Sequence, residues 1–261
     1  TWSSKLEDDL KRRDFTINAI ALDSTEEGGV ISIVDPFGGQ EDLKKALLRA
    51  VGKPDERFSE DALRMLRGIR ISTELDFEIE AETEKGIRAN SHLLSKIAKE
   101  RIRDEFSRIL MSDRPMYGML LAHKLGVLRY IAPELEDGVG IKQNQAHTFE
   151  VFEHLLRTLN HSAKKGWPLE IRLAALFHDI GKPATRVWSD EKKDWTFHGH
   201  DVVGARITKK VLQNLKFPNK TIEKVTSLVR WHMFFSDTEQ ITGITPDQAK
   251  AVEDVKKDME S

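Results

Sequence analysis

The chain contains no cysteine, which removes disulfide stapling, thiolate zinc sites and cysteine nucleophiles from its chemistry. Any metal it binds must be held by histidine and carboxylate. It also lacks charge of one sign: 41 Lys plus Arg stand against 43 Asp plus Glu, a net charge of -2. Nothing in that balance attracts nucleic acid globally, so an RNA site has to be a local patch. No apolar stretch approaches membrane-spanning length, and the opening Thr-Trp-Ser-Ser-Lys has no charged-then-apolar secretory pattern, so a cytoplasmic protein is expected. The first residue is Thr1 and not methionine, which suggests a processed product or a fragment with an upstream part not shown. Aromatics are sparse at 7%, but a hydrophobic fraction of 39% beside 32% charged residues excludes global disorder. With 261 residues the chain exceeds one average domain, and two units with cores of their own are expected.

What is present is mostly helical periodicity. Residues 1–45 mix a charged run at 5–14 with apolar segments at 17–22 and 30–34, read as a helix or strand followed by a strand. The turn cluster Asp35-Pro36-Phe37-Gly38-Gly39 closes that strand, and a helix opens at Gln40. Leu43, Leu47 and Val51 then form one helical stripe, and Leu63, Leu66 and Ile69 the next, with Ser59 as its N-cap. Helices are predicted over 81–90, 94–111 and 117–128. Pro133 and Asp137-Gly138-Val139-Gly140 read as a boundary. Beyond it, helices over 148–159, 169–177, 202–215 and 220–231 predict an all-helical second half, and the polar stretch after Ile244 a frayed helix or disordered tail. The fold class is therefore mainly α with a short β part near the start.

Three motifs in the first half carry chemistry. Arg12-Arg13-Asp14-Phe15-Thr16-Ile17-Asn18 offers two planar cationic forks suited to a triphosphate, with Asp14 able to lock one of them; alone, such a run is a solvated charge cluster. Glu60-Asp61-Ala62-Leu63-Arg64-Met65-Leu66-Arg67 places Asp61 and Arg64 one turn apart on one helical face, with Arg67 beside them. A carboxylate beside a guanidinium matches the amino group and ring nitrogen on the Watson–Crick edges of cytosine and adenine, whereas uracil and guanine present the opposite order. The bland alternative is a surface salt bridge worth at most about 1 kcal/mol. Glu100-Arg101-Ile102-Arg103, after Lys96 and Lys99, is a basic-acidic face that either supports the neighbouring helix or meets RNA phosphates.

Together and in this order, the three motifs resemble the class II tRNA nucleotidyltransferase and bacterial poly(A) polymerase superfamily over residues 10–106. The resemblance implies that Arg12, Arg13, Asp14 and Asn18 help bind the triphosphate, that Asp61, Arg64 and Arg67 are the template for the incoming base, and that Arg101 and Arg103 are structural or RNA-facing. It implies ATP, CTP and tRNA as partners, and Mg2+ held mostly by Asp-x-Asp carboxylates upstream of the first motif. No such pair precedes Arg12; Glu7, Asp8 and Asp9 are adjacent acids in another setting. These residues alone are therefore expected to be inactive in nucleotide addition, the head being missing upstream sequence or a separate polypeptide. On this reading residues 1–45 are the end of a nucleotidyltransferase head, 46–136 a helical nucleotide- and RNA-binding body, 140–238 a further domain and 239–261 a tail.

That further domain carries His154, then Phe177-His178-Asp179-Ile180-Gly181-Lys182-Pro183, then His198, His200 and His232. Adjacent His and Asp joined by a histidine from an earlier helix suit a divalent transition metal or Mg2+. In its setting the pair resembles the HD superfamily over residues 147–233. The resemblance implies His154, His178 and Asp179 as ligand core, with His200 and His232 as outer candidates and a later Asp, for which Asp237 is the candidate; His147 would cap or pack, and His198 flank the site. It implies phosphatase or 2′,3′-cyclic phosphodiesterase activity, with a silent structural domain as the alternative. Lys182 is placed either against a substrate phosphate or in packing. Three functions follow: a nucleotidyltransferase adding C and A, or A alone, to the tRNA 3′ end; a metal-dependent phosphohydrolase; or a noncatalytic RNA-binding protein.

Overall fold

A computed structural model of the chain describes residues 2–24, 31–143 and 149–233. Helix α1 (Trp2–Lys11) leads through a 3-10 turn at Thr16–Asn18 into β1 (Ala21–Ser24), paired antiparallel with β2 (Ile31–Val34). The Asp35 carboxylate then accepts the Gly39 and Gln40 N–H groups at 2.7 and 2.8 Å, satisfying the exposed donors of α2 (Gly39–Lys44). The helical stripe expected through Leu47 and Val51 does not form. Ala46 adopts a left-handed φ of 51°, ending the helix, and Leu47–Leu48 becomes β3, parallel to β4 (Glu78–Ile79). The short strand is held by Glu78 N–H to Ala46 O and Glu80 N–H to Leu48 O, both 2.9 Å.

The rest is predominantly helical, as the periodicity predicts: α3 (Pro54–Glu60), α4 (Leu63–Leu75), α5 (Ala81–Asn90), α6 (Lys99–Met111), α7 (Pro115–Lys124), α8 (Val151–Lys164), α9 (Leu169–Phe177), α10 (Lys182–Thr185), α11 (His200–Asn214) and α12 (Asn219–Trp231). The helix expected from 94 is split, because Ser91–Lys96 is a 3-10 turn and α6 starts beyond it. The second half is not all helix either. β5 (Val187–Ser189) and β6 (Asp194–Thr196) form a hairpin, favoured by the directly opposed Trp188 and Trp195. No described helix is long and apolar enough to cross a membrane.

One apolar cluster runs through both halves. It joins Phe58, Leu66, Ile87 and Phe106 to Leu155, Phe177, Leu212 and Val225, without a break at residues 133–140. Buried Arg172 pins α9 to the end of α6, donating to Leu110 O and Ser112 O at 2.8 Å each and to Trp167 O at 2.8 Å. Leu110 O and Ser112 O belong to the end of α6, where carbonyls lack partners within the helix. Inside the first half, Arg70 on α4 meets Glu105 on α6 at 2.6 Å with both side chains buried.

The N-terminal segment is fastened by Asp42, which is fully buried, accepts the Thr16 hydroxyl at 2.6 Å, and is paired with Arg49. Burial pushes this carboxyl up, but hydrogen bonds from Arg49 and Thr16 and the charges of Arg49 and Lys45 outweigh it and hold the group below the usual carboxylate range. The stability it contributes is complete above the ordinary carboxylate pKa of about 4 and is lost as pH falls through the lower folded value. Asp42→Asn should therefore cost about 2 kcal/mol at pH 7, a penalty that narrows toward the lowest pH at which the chain stays folded. Denaturant unfolding across that range checks it; a pH-independent penalty would contradict it.

Candidate functional site

The first site is assembled where α3 meets α4. Pro54 at the first position of α3 starts a helix earlier than Ser59, so Ser59 lies inside it and not at an N-cap. Asp61 then leaves helical geometry, with φ −146° and ψ 102°, and α4 begins at Leu63. Asp61 and Arg64 are consequently not on one helix face: Asp61 sits in the elbow and Arg64 in the first turn beyond it. One Asp61 oxygen accepts the Leu63 N–H at 3.1 Å and the other accepts Arg101 at 2.8 Å. The elbow is thus shaped by the aspartate itself.

Arg64 is held from the other side. Its Nε meets Asp14 Oδ1 at 2.9 Å, Nη1 donates to Glu60 Oε2 at 2.8 Å and to Arg57 O at 3.2 Å, and Nη2 donates to Arg12 O at 3.0 Å. Arg67 Nε takes the second oxygen of Asp14 at 2.5 Å. No ion pair joins Asp61 to Arg64 among the described residues. Glu60, which also binds Arg57 at 2.9 Å, is the anchor that reading for base edges overlooked. Its spacing to Arg57 and Arg64, three and four residues, was a usable helical signal. The hydrogen bonds from Arg64 and the nearby arginine charges hold the Glu60 carboxyl below its ordinary range.

The remaining residues of the first half divide. Arg12 and Arg13 are exposed, with Arg13 paired to Asp9 at 2.6 Å, and Asn18 is exposed as well. Arg101 closes on Asp61, whereas Arg103 turns away to Asp104 and donates to Lys216 O at 2.6 Å, tying α6 to the end of α11.

The second site brings together all five histidine and aspartate residues expected of it. His154 comes from α8, His178 and Asp179 follow α9, His200 opens α11, and His232 follows α12. Asp179 is the hub. Its Oδ2 lies 3.3 Å from His154 Nε2 and 3.2 Å from His178 Nε2, and its Oδ1 lies 3.2 Å from His200 Nε2 and 3.4 Å from His232 Nε2. Nδ1 of His178, His200 and His232 faces the carbonyls of Ala175, Phe197 and Val229 at 2.7–2.9 Å. Those contacts place the ring proton on Nδ1 and leave Nε2 an acceptor aimed inward. Burial pulls the His178 imidazole down to about 4 against the pull of Asp179, so it is neutral at pH 7. For His200, burial is outweighed by the hydrogen bond and charge of Asp179, and its pKa rises. Asp179 stays ionised, far below the usual carboxylate range, because His178, Lys182 and the surrounding hydrogen bonds overcome its desolvation.

Two acceptor-rich compartments result, His154–His178–Asp179 and Asp179–His200–His232, the histidine Nε2 atoms being 3.1 and 3.2 Å apart within them. Facing lone pairs at that separation repel unless a proton or a cation lies between them. This donor set fits a divalent metal. Lys182 is buried against Asp179 at 2.6 Å and Gln143 at 2.6 Å, where its charge offsets that of the aspartate. Gln143 went unnoticed in the sequence because nothing in its neighbourhood carries a signal. His198 is exposed; His147 and Asp237 lie outside the described residues.

Three family models match the chain in succession: "Poly A polymerase head domain" over residues 1–49, "Probable RNA and SrmB- binding site of polymerase A" over 76–138 and "HD domain" over 151–259. The chain is 40% identical over 235 residues to the A-adding tRNA nucleotidyltransferase of Deinococcus radiodurans, covering 87% of this chain and 52% of that protein. It belongs to the tRNA nucleotidyltransferase and poly(A) polymerase family. It is also 37% identical over 239 residues to the CC-adding tRNA nucleotidyltransferase of Thermus thermophilus, covering 88% of this chain and 52% of that one. The chain thus spans about half the length of the curated nucleotidyltransferases it matches. Among solved structures it resembles the Bacillus stearothermophilus CCA-adding enzyme in complex with CTP, with TM-score 0.53, 28% identity, and coverage of 97% of this chain and 58% of that one. Likeness to an A-adding and to a CC-adding nucleotidyltransferase sets the family and leaves the added base to the site.

The metal-centre geometry depends on a close helix contact. A Cβ on Gly181 would lie 2.2 Å from His200 O and 2.6 Å from Gly204 N, both backbone atoms. Gly181→Ala must push α11 and His200 away from Asp179, and should lower stability by about 2 kcal/mol or more. Thermal unfolding checks this, and an unchanged melting temperature would refute the contact.

Proposed function

We propose that this chain supplies nucleotide selection and RNA contact in a tRNA nucleotidyltransferase that adds C, A or both to the tRNA 3′ end. The observation that carries this reading is the donor count at Arg64. A guanidinium has five N–H groups, and four of Arg64's are committed to Asp14, Glu60, Arg57 O and Arg12 O, leaving one on Nη2. The Asp61 carboxylate keeps lone pairs beyond those taken by Leu63 and Arg101. One donor and one acceptor, three residues apart, suffice for the ring nitrogen and amino group of cytosine or adenine. Uracil and guanine would set acceptor against carboxylate and N–H against guanidinium. Exposed Arg12 and Arg13, with Asn18, are then the triphosphate contacts, and Arg67 secures Asp14. Arg101 and Arg103 act by holding Asp61 and α11. Mg2+, which stabilises charge in phosphoryl transfer, would be held by carboxylates other than Glu7, Asp8 and Asp9.

Isothermal titration of the four nucleoside triphosphates tests the reading. CTP or ATP should bind, UTP and GTP should stay near background, and Arg64→Ala should weaken the favoured nucleotide about tenfold or more. Equal binding of all four would defeat it.

The convergence of four imidazoles on Asp179 favours a second activity, that of a metal-dependent phosphohydrolase acting on phosphate monoesters or 2′,3′-cyclic nucleotides. His154, His178, Asp179, His200 and His232 would hold the cation, which when bound polarises a phosphoryl oxygen and activates water. The protein's part is to orient the His178, His200 and His232 rings through their Nδ1 contacts, so that each Nε2 faces Asp179. Manganese or nickel should raise the melting temperature by several degrees, and His178→Ala should abolish the shift. No shift with manganese, nickel, cobalt or magnesium would leave the domain structural.

A further inference from the structure

The β5–β6 hairpin is not used by either site described above, although both its ends are built into the metal centre. On one side, Asp179 leads through Lys182 and α10 to Arg186 and β5. On the other, Trp195 stands two residues before Phe197, whose carbonyl holds the His200 ring at 2.7 Å. Two residues span at most about 7 Å of backbone, so Trp195 is confined to the neighbourhood of the centre. Its surroundings are specific. Trp188 and Trp195 are cross-strand partners with ring centroids 5.3 Å apart in an edge-to-face arrangement. The Arg186 guanidinium lies over the Trp195 ring at 3.6 Å, and its buried Nε has no hydrogen-bond partner. Phe197 follows inward, with the Lys182 ammonium 5.6 Å from its ring centre and 2.6 Å from Asp179. Exposed aromatic surface at the outer end, where Trp188 is 47% and Val187 62% accessible, is thus connected through the buried Phe197 to a buried cation and carboxylate at the inner end.

We propose that Trp188 and Trp195, backed by Arg186, form a stacking platform for the nucleobase of a nucleotide or RNA 3′ end whose phosphate is directed toward the His–Asp centre. The occupant is argued from the sequence of surfaces. An exposed indole, Trp188, set edge-to-face against a second indole that a guanidinium covers, is the chemistry that holds an unstacked base, and an adjoining acceptor cluster fitted to a divalent cation is the chemistry that receives a phosphate. A purely apolar partner would have no use for the guanidinium stacked on the indole. Stacking of this kind tolerates any base, unlike the edge reading at Asp61 and Arg64. The direction of the phosphate rests on the metal-centre reading; the stacking does not.

Guanine separates the two nucleotide sites, since its edge is the wrong one for Asp61 and Arg64. Calorimetric titration with GMP, the dinucleotide GpG and ribose 5-phosphate therefore reports on the hairpin. GMP should bind about tenfold or more tightly than ribose 5-phosphate. Trp188→Ala and Trp195→Ala should each remove about tenfold of GMP affinity and leave ribose 5-phosphate unchanged, while Trp188→Phe keeps most of it. GpG binding more tightly than GMP identifies an RNA end as the natural source, and equal binding a free nucleotide; both support the platform. His178→Ala should preserve the preference for GMP, so a failed metal centre and a failed platform are told apart. The proposal is overturned if GMP and ribose 5-phosphate bind alike, or if Trp188→Ala dissolves a dimer in sedimentation without loss of GMP binding, which would make the hairpin a contact between copies of the chain.

Discussion

The two oxygens of Asp14 are shared between two arginines on successive turns of α4, Arg64 at 2.9 Å and Arg67 at 2.5 Å. This fork fixes the N-terminal segment to the helical body, and much of the rest follows from it. Asp14 O accepts the Val51 N–H at 3.1 Å, Thr16 N–H donates to Arg49 O at 2.9 Å, and the Phe15 ring packs where Gly68 leaves no Cβ in its way. A side chain on Gly68 would meet that ring at 2.8 Å. Because Arg64 is also clamped by Glu60 and two backbone carbonyls, its guanidinium has a single orientation and a single free donor. The proposed reading of base edges requires such preorganisation, since a mobile arginine would lose that selectivity in side-chain freedom.

The two sites are electrostatic opposites. Around α3 and α4, arginines outnumber the carboxylates that hold them, and the surplus positive charge suits a triphosphate. Around Asp179, acceptors outnumber donors, and the surplus lone pairs suit a cation. Lys182, buried between Asp179 and Gln143, partly offsets that surplus. A continuous apolar core links the two regions, and Arg172 and Arg103 add polar ties between α6 and the second half. This packing gives each site a rigid frame.

Much of this was legible in the sequence, and the failures have physical causes. The helices at 81–90 and 169–177 agree with the periodicity, and the five His and Asp residues of the second site meet as the motif implied. Three misreadings came from local competition. The left-handed Ala46 turned a helical stripe into β3, an alanine giving no warning of positive φ. Asp61 used its carboxylate to cap Leu63 and break a helix that its neighbours favoured. The hairpin at 187–196 hid behind a charged turn, with its signal confined to Trp188 and Trp195. Partners distant in sequence were invisible by nature: Arg101 lies 40 residues from Asp61, and Gln143 lies 39 from Lys182.

Base selection at this site needs one guanidinium with one uncommitted N–H, that of Arg64, beside the capped Asp61 carboxylate. A crystal structure of the chain with CTP tests it most directly. The cytosine should lie with its amino group on Asp61 and its ring nitrogen on Arg64 Nη2, with the Asp14–Arg64–Arg67 fork intact. A base bound elsewhere, or an Arg64 released from Asp14 to reach it, would contradict the claim.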